Sequence, residues 1–325
     1  MKKTLVALAA VAATSAAFAE VKISGAAALG INAAKTTTSG KATTVTTLGD
    51  PQFNSSLNFN VSEDIGNGLK AEAQIGLYPY LSTNDAPTGY QSFIGLSGGF
   101  GGLKAGKFAD AQALVNFTYD AVGAWGANQA NFAGGSLGGF FLEDQVKYTL
   151  PTLVNGLTAS YTRGFGEDTG GLVTGNSNTY ALGYSVSGFA VDIANSSVKN
   201  SLTETKTINN IGLSYDFGVA KVVALSASQK NGTNAAVTGS SFGVIVPVGD
   251  IALTLQTSTA SGTIAAAGAA TSTVKQTGTD VKVSYTLSKR TVVHALMNTR
   301  KGSDGITAAS GNSVSNTQLF VLHAF

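Results

Sequence analysis

Apolar and polar residues alternate along this chain with a period of two. Between positions 280 and 287 the odd residues Val281, Val283, Tyr285 and Leu287 are apolar, and the even residues Asp280, Lys282, Ser284 and Thr286 are polar. Stretches 69–75, 180–186 and 251–256 repeat the pattern. Successive side chains of an extended chain point to opposite faces, so each stretch predicts a strand with one apolar face. Strand cores begin near Lys22, Phe53, Leu69, Tyr90, Gly102, Asp144, Leu157, Asn178, Phe189, Thr205, Ala220, Thr238, Ile251, Thr279, Thr291 and Ser315. They number about sixteen, an even count as bacterial membrane barrels have.

Gly, Asn, Ser, Thr and Asp separate these strands, and the connections come in two lengths. Short ones fall at 63–68, 98–101, 187–188, 218, 249–250 and 288–290. Long ones fall at 34–52, 81–89, 109–142, 166–175, 260–274 and 301–313. Their alternation is that of an up-and-down barrel with short turns at one rim and larger loops at the other. The last stretch, 314–325, lacks Gly and Pro and sets Leu319, Val321, His323 and Phe325 on one face. An open apolar edge invites pairing with other chains, whereas a closed barrel pairs its last strand with its first. The expected fold is therefore all-β: a transmembrane antiparallel up-and-down barrel forming one domain, 20–325.

Hydropathy and aromatic placement agree with a membrane wall. The mean hydropathy is +0.17, yet beyond the N-terminus no apolar run reaches the roughly 18 residues of a spanning helix. A wall with one face to lipid and one to water satisfies both facts. Phe100, Tyr148, Phe189, Tyr215, Phe217, Tyr285 and Phe325 gather beside the short turns, as in a girdle at one bilayer interface.

The first residues predict a cleaved secretion signal, 1–19. Lys2 and Lys3 are followed by an apolar run at 5–11 and by Ala17-Phe18-Ala19, a small-residue cleavage site that leaves Glu20 first. The chain has 20 basic and 18 acidic residues; loss of Lys2 and Lys3 leaves 18 against 18, net zero. A neutral chain with only three arginines, Arg163, Arg290 and Arg300, lacks the basic field of a nucleic-acid binder. The absence of Cys excludes a disulfide scaffold and thiolate metal ligands. The two histidines, His294 and His323, accompany no nucleophile motif, metal-ligand cluster or phosphate loop, so neither enzyme chemistry nor a cofactor is expected.

Parity assigns the wall. If Leu69, Ala71, Ala73 and Ile75 face lipid, Lys70, Glu72 and Gln74 face the lumen, and by the same rule so do Lys22, Lys147, Asp192, Asp216, Asp280 and Lys282. Lys107 shares the apolar parity of Leu103 and Ala105 and reaches the lumen only if a bulge at Gly106, or the strand's end, reverses it. The connection 109–142 carries Phe117, Tyr119, Trp125, Phe132, Phe140 and Phe141. It is too apolar for a disordered tail and should pack against something.

Several segments, in order, resemble the Gram-negative outer-membrane porin family, and within it the general porins of β-proteobacterial type. Ser62-Glu63-Asp64-Ile65-Gly66-Asn67-Gly68-Leu69-Lys70-Ala71 is similar to the family's first periplasmic turn, and Phe93-Ile94-Gly95-Leu96-Ser97-Gly98-Gly99-Phe100-Gly101 to its second hairpin. Leu103-Lys104-Ala105-Gly106-Lys107 follows where the family has Leu-Gly-Arg, with Lys in place of the Arg. Tyr285-Thr286-Leu287-Ser288-Lys289-Arg290-Thr291 is similar to its last periplasmic turn, and 319–325 to its C-terminal strand, whose final Phe is an assembly signal. The family's acidic, Pro-containing loop tip has only an echo in Asn131-Phe132-Ala133-Gly134-Gly135.

This resemblance implies a third loop folded into the barrel and an eyelet where it narrows the pore. Lys22, Lys70, Lys104, Lys107 and Lys147 would stand on the early strands opposite Asp110 and Asp120 on the loop, with Glu143 at its root. Opposed charges there would bias ion choice. The implied function is a homotrimeric general diffusion porin in outer-membrane lipid and lipopolysaccharide, passing small hydrophilic solutes and ions with a weak lean toward anions. A substrate-selective channel and a structural or adhesive surface barrel are the alternatives.

Overall fold

The computed structural model describes residues 19–38, 40–50, 55–82, 85–123, 141–166, 168–169, 172–173, 176–199, 205–232, 235–264, 272–303 and 312–325. The expected secretion signal lies outside them except for Ala19. The first eight strands are β1 Glu20–Thr38, β2 Lys41–Gly49, β3 Ser56–Gly66, β4 Leu69–Tyr78, β5 Thr88–Gly98, β6 Gly101–Ala109, β7 Phe141–Thr149 and β8 Leu157–Gly164. A small hairpin, β9 Asp168–Thr169 and β10 Leu172–Val173, stands apart. The wall resumes with β11 Ser177–Val186, β12 Phe189–Lys199, β13 Thr205–Asp216, β14 Lys221–Asn231 and β15 Ala235–Val248. It ends with β16 Ile251–Ile264, β17 Ser272–Ser288, β18 Thr291–Ser303 and β19 Ser313–Ala324. One helix, α1 Ala111–Thr118, follows β6.

Seventeen strands form a single antiparallel sheet that closes on itself. One edge of β1 is shared: residues 20–26 pair with β3 and residues 30–38 with β2. β2 and β3 thus occupy one place around the wall, and seventeen less one leaves the sixteen staves of the barrel. The first and last strands meet from Ala26↔Ala324 to Thr37↔Ser313. Below that register Gly25 and Phe325 exchange both backbone hydrogen bonds at 3.0 Å. The sequence pattern placed β2 inside a long connection, because its Lys-Ala-Thr-Thr-Val-Thr-Thr run has no apolar face.

The period of two survives in three dimensions. Outward positions hold Leu253, Leu255, Val281, Val283, Met297, Leu319 and Val321, all exposed, as lipid-facing side chains must be. Inward positions on the same strands hold Thr254, Gln256, Asp280, Lys282 and Asn298, all buried. The inner wall is mostly polar, with Leu225, Leu296 and Phe320 buried among its polar side chains. Aromatics border the short turns as expected: Tyr215 and Phe217 have ring centroids 4.5 Å apart, and Tyr148 Oη donates to the Phe100 carbonyl at 2.7 Å.

Face assignment has a measurable consequence. Leu253 is 46 % exposed on the outer wall, so Leu253→Arg should cost roughly 2–4 kcal/mol near the bilayer midplane. Its neighbour Thr254 is a poor lumen control, being 2 % exposed. Gln74, half-buried on the inner wall and hydrogen-bonded to Asn58 and Gln91, serves instead, and Gln74→Arg should cost less than Leu253→Arg. Urea titration of the folded barrel in lipid vesicles reads both; equal losses would mean that the face assignment is wrong.

Candidate functional site

The connection after β6 does not lie outside the barrel; its described part crosses the lumen. Asp110 sits at the N-cap of α1 in an extended conformation, and the helix packs on the inner faces of β11, β12 and β13. Inward parity gave those strands polar side chains, and these hold the loop. Asn210 Nδ2 donates to the Gln112 carbonyl at 3.2 Å and to Asn116 Oδ1 at 2.8 Å. Gln112 Nε2 donates to Ser196 Oγ and to the Ile208 carbonyl. Tyr119 Oη donates to Asp192 Oδ2 at 2.8 Å. Burial, and then Asp192, push the Tyr119 phenol well above its ordinary range. Gly212 makes this possible, since a Cβ there would overlap the Tyr119 ring.

Beyond the helix the chain is latched to the far wall. The Ala121 N–H donates to Gln256 Oε1 at 2.8 Å, and Gln256 Nε2 donates to Asp120 Oδ1 at 3.0 Å and Asp280 Oδ2 at 3.2 Å. Lys282 Nζ donates to the Val122 carbonyl at 2.6 Å. At the root, Gln145 Nε2 donates to the carbonyls of Phe108 and Leu142, tying the outgoing strand to the returning one. The loop is thus bound from β6 across to β17. The echo of the tip motif at 131–135, with Trp125, Phe132 and Phe140, lies outside the described residues.

The candidate charges fall into three groups. Lys104 and Lys147 are register partners on the inner wall. Lys104 Nζ lies 3.9 Å from Glu72 Oε1 and 3.8 Å from the Phe93 ring centroid. Lys147 lines a cavity of about 310 Å³ between α1 and the wall, together with Thr158, Ser160 and Asp192. Lys22 and Lys70 face the lumen near its short-turn mouth, in register with Asn60 and Asp64. Lys107 and Glu143 stand elsewhere: they form an ion pair at 2.7 Å, and Lys107 is in register with outward-facing Ser92.

A bulge does occur at Gly106, where φ is +129° and a Cβ would overlap the Ser92 carbonyl oxygen. On the β5 side it leaves Lys107 on the outward parity. Asp110 and Asp120 are buried and do not line an open passage. Asp110 is 1 % exposed, without a side-chain capping bond. Burial raises its pKa to about 6 although Lys147 and Lys206 lie near enough to lower it.

Sequence reasoning missed Lys206, Asn210 and Gln256; the even positions of β13 and β16 would have given all three by parity. It also missed Ser284 Oγ, 2.8 Å from His294 Nδ1 on the inner wall. The two are register partners across β17 and β18. Tyr78 and Tyr90 stack at 4.4 Å, and Phe93 is inward as well, although the aromatics were expected only at turns and in the loop.

Comparison with known proteins agrees with this geometry. The sequence model of a family described as Gram-negative porin matches residues 4–305. A 134-residue stretch is 39% identical to a major outer membrane protein P.IB of Neisseria lactamica, covering 40% of this chain and 39% of that one. The chain thus spans about two fifths of the relative it matches. An anion-selective porin from Comamonas acidovorans superposes with a TM-score of 0.77 at 19% identity, covering 95% of this chain and 100% of that one. A trimer form of OmpT from Vibrio cholerae does so with a TM-score of 0.69 at 14% identity, covering 94% and 99%.

The buried Asp110 carboxylate makes the loop's attachment pH-dependent. Its folded pKa of about 6 lies above the ordinary 3.8, so the attached loop holds the proton more tightly than the released one. Attachment is then strongest below about pH 4 and weakens as pH rises to about 6, by on the order of 3 kcal/mol. Amide exchange at 111–123, corrected for intrinsic rates, should show more protection at pH 4.5 than at pH 7.5. Asp110→Asn should abolish the difference; a dependence that survives this substitution assigns it to another group.

Proposed function

The chain belongs to the Gram-negative porin family, and on that premise we propose that it is a general diffusion porin of the outer membrane. It passes small hydrophilic solutes and ions through a water-filled barrel, leaning weakly toward anions. The family indicates a channel rather than an enzyme. The observation that carries the reading is the loop strapped to β11–β17, which divides the lumen and leaves the Lys104–Lys147 wall beside the remaining space. Segment 1–19 acts as the export signal. The functional unit is a homotrimer, a reading supported by the trimer form of OmpT from Vibrio cholerae.

Lys104 and Lys147 would form the cationic side of the constriction, with Lys22 and Lys70 feeding its short-turn mouth. Asp110 and Asp120 would act by holding the loop. The Lys107–Glu143 pair would act outside the passage. A second reading draws on the inward Tyr78–Tyr90 stack: aromatic faces of this kind suit a sugar ring, and a substrate-selective channel would be blocked by its sugar.

Single-channel recording in asymmetric KCl tests both. A unit charge ~8 Å from a permeating ion in water contributes ~0.5 kcal/mol. The charge favours the anion and disfavours the cation by the same amount, so Lys104→Gln and Lys147→Gln should each lower the anion-to-cation permeability ratio roughly fivefold. Lys107→Gln should leave it unchanged. Absence of conductance steps in the wild type would end the channel reading, and an unmoved reversal potential in the double variant would remove these lysines from the passage.

A further inference from the structure

One cavity inside the barrel has a lining that ion passage leaves unexplained. It lies between α1 and the inner faces of β7, β8, β11 and β12, and measures about 310 Å³. At ~30 Å³ per water it holds roughly ten small heavy atoms, the size of one amino acid and too little for an oligosaccharide or a nucleotide. Among the described residues its charged lining is Lys147 at one end and Asp192 at the other. Between them stand the hydroxyls of Thr149, Thr158 and Ser160, and α1 covers the space with Leu114 and Val115. Leu114 is 40 % exposed although it sits on a helix packed inside the barrel. Covering that apolar side chain with an apolar group would be favourable.

The two charges are set for a ligand and not for each other. Neither joins an ion pair among the described residues. Asp192 Oδ2 accepts from the Tyr119 hydroxyl at 2.8 Å, while Oδ1 leans over Gly183, where a Cβ would overlap it. Gly183 thus leaves the carboxylate open to the cavity and lets it lean one strand toward Lys147. Register sets Gly183 two strands across from Lys147 and four residues along. Four residues at ~3.3 Å and two spacings of ~4.8 Å give a diagonal of roughly 16 Å. The Lys147 stem and a small molecule hydrogen-bonded at both ends fill that span. Lys104, the register partner of Lys147, adds to the cationic end. Asp110, the other carboxylate near Lys147, is buried and does not line the cavity.

We propose that this cavity binds zwitterionic α-amino acids with an apolar side chain. The carboxylate meets Lys147, the ammonium meets Asp192 Oδ1, and the side chain lies on Leu114 and Val115. Charge-assisted hydrogen bonds hold both ends. A ligand of one sign only would leave Lys147 or Asp192 without its match, and so would be held more weakly. The inference goes beyond diffusion. It requires the cavity and not ion flow, so a barrel that conducts without binding amino acids refutes it alone.

The test uses full-length folded protein in detergent micelles, titrated with L-leucine and read by saturation-transfer difference NMR, with no current measured. N-acetyl-leucine lacks the ammonium and leucinamide lacks the carboxylate. Each should bind the wild type roughly tenfold more weakly than leucine, as expected for one lost hydrogen bond to a charged group. Asp192→Asn can still accept from Tyr119; it should weaken leucine roughly tenfold and leave N-acetyl-leucine unchanged. Lys147→Gln should weaken leucine as much and leave leucinamide unchanged. Leu114→Ala should weaken leucine roughly fourfold, the equivalent of about one buried methylene, and glycine not at all. Lys289→Gln, at the short-turn rim, should bind as wild type does. Binding of either analogue by the wild type as strongly as leucine overturns the proposal, whether or not the variants fold. So does full leucine binding in the Asp192 and Lys147 variants, equal loss in Lys289→Gln, or the absence of leucine binding at tens of millimolar.

Discussion

A backbone N–H or C=O facing hydrocarbon without a partner costs several kcal/mol, and this one constraint organises the molecule. A sheet meets it only by closing. Here the closure falls between Gly25 and Phe325, whose backbones exchange hydrogen bonds at 3.0 Å, and runs up the β1–β19 ladder. Closure with antiparallel neighbours demands an even number of staves, and alternation keeps most apolar side chains on the lipid side, with Ile208, Leu225, Leu296 and Phe320 buried on the inner one. β1 supports this at one further point. It is long enough to serve β3 below and β2 above, so one strand satisfies two partners on the same edge.

Closure also creates the problem that the loop resolves. A sixteen-strand wall encloses more space than its inward side chains can fill. Because many of those side chains are polar, hydrogen bonds hold the loop beside the apolar contact of Val115 and Tyr119 with Ala194, Leu225 and Ala227. Asp120, Gln256, Asp280 and Lys282 form a buried polar cluster around the backbone of Ala121 and Val122. Removing one partner would leave another buried without its match, which costs more than the pair gains in water. That asymmetry makes the attachment specific. It also explains the small residues below the loop: Tyr119 needs Gly212, and Ala121 needs Gly243. α1 has no acidic residue in its first turn; its position comes from Asn210 and Ser196 on the wall it meets.

Alternation was legible because it is a local property, and everything that follows from face alone could be read. Lys147, Asp192, Asp280 and Lys282 were assigned inward from parity, and all four line the lumen or touch the loop. Depth and height are not local. Parity could not say that Lys22 and Lys70 stand nearer a mouth than Lys104, because that needs the register of β1 with β3 and of β4 with β5. It left Lys107 conditional on a bulge, and the bulge formed without turning the side chain inward. Asp110 and Asp120 looked like eyelet acids because a loop residue has no parity at all. Their burial depends on where α1 lands, which β12 and β13 decide from about ninety residues away in sequence. The Ser284–His294 contact was hidden for the same reason, since a hairpin register and not a motif brings it together.

The lysines show how far position outweighs residue type in a barrel. Lys282 is buried and serves as a hydrogen-bond donor to a loop carbonyl. Lys104, on the same inward parity, lies over an aromatic face with a carboxylate nearby. Lys107 is three residues from Lys104 and faces the other way, paired with Glu143. Lys230 and Lys301 share Lys107's outward parity, but join no ion pair among the described residues. A strand has two faces and a membrane has two interfaces, so one residue type meets several environments that differ in dielectric and partner. Net charge, which sums to zero in the predicted mature chain, averages them away. Its zero sums acids and cations on the inner wall, on the outer wall and in the turns and loops. The field in the passage and the charge presented to lipid are therefore set separately, by parity, on the same strands.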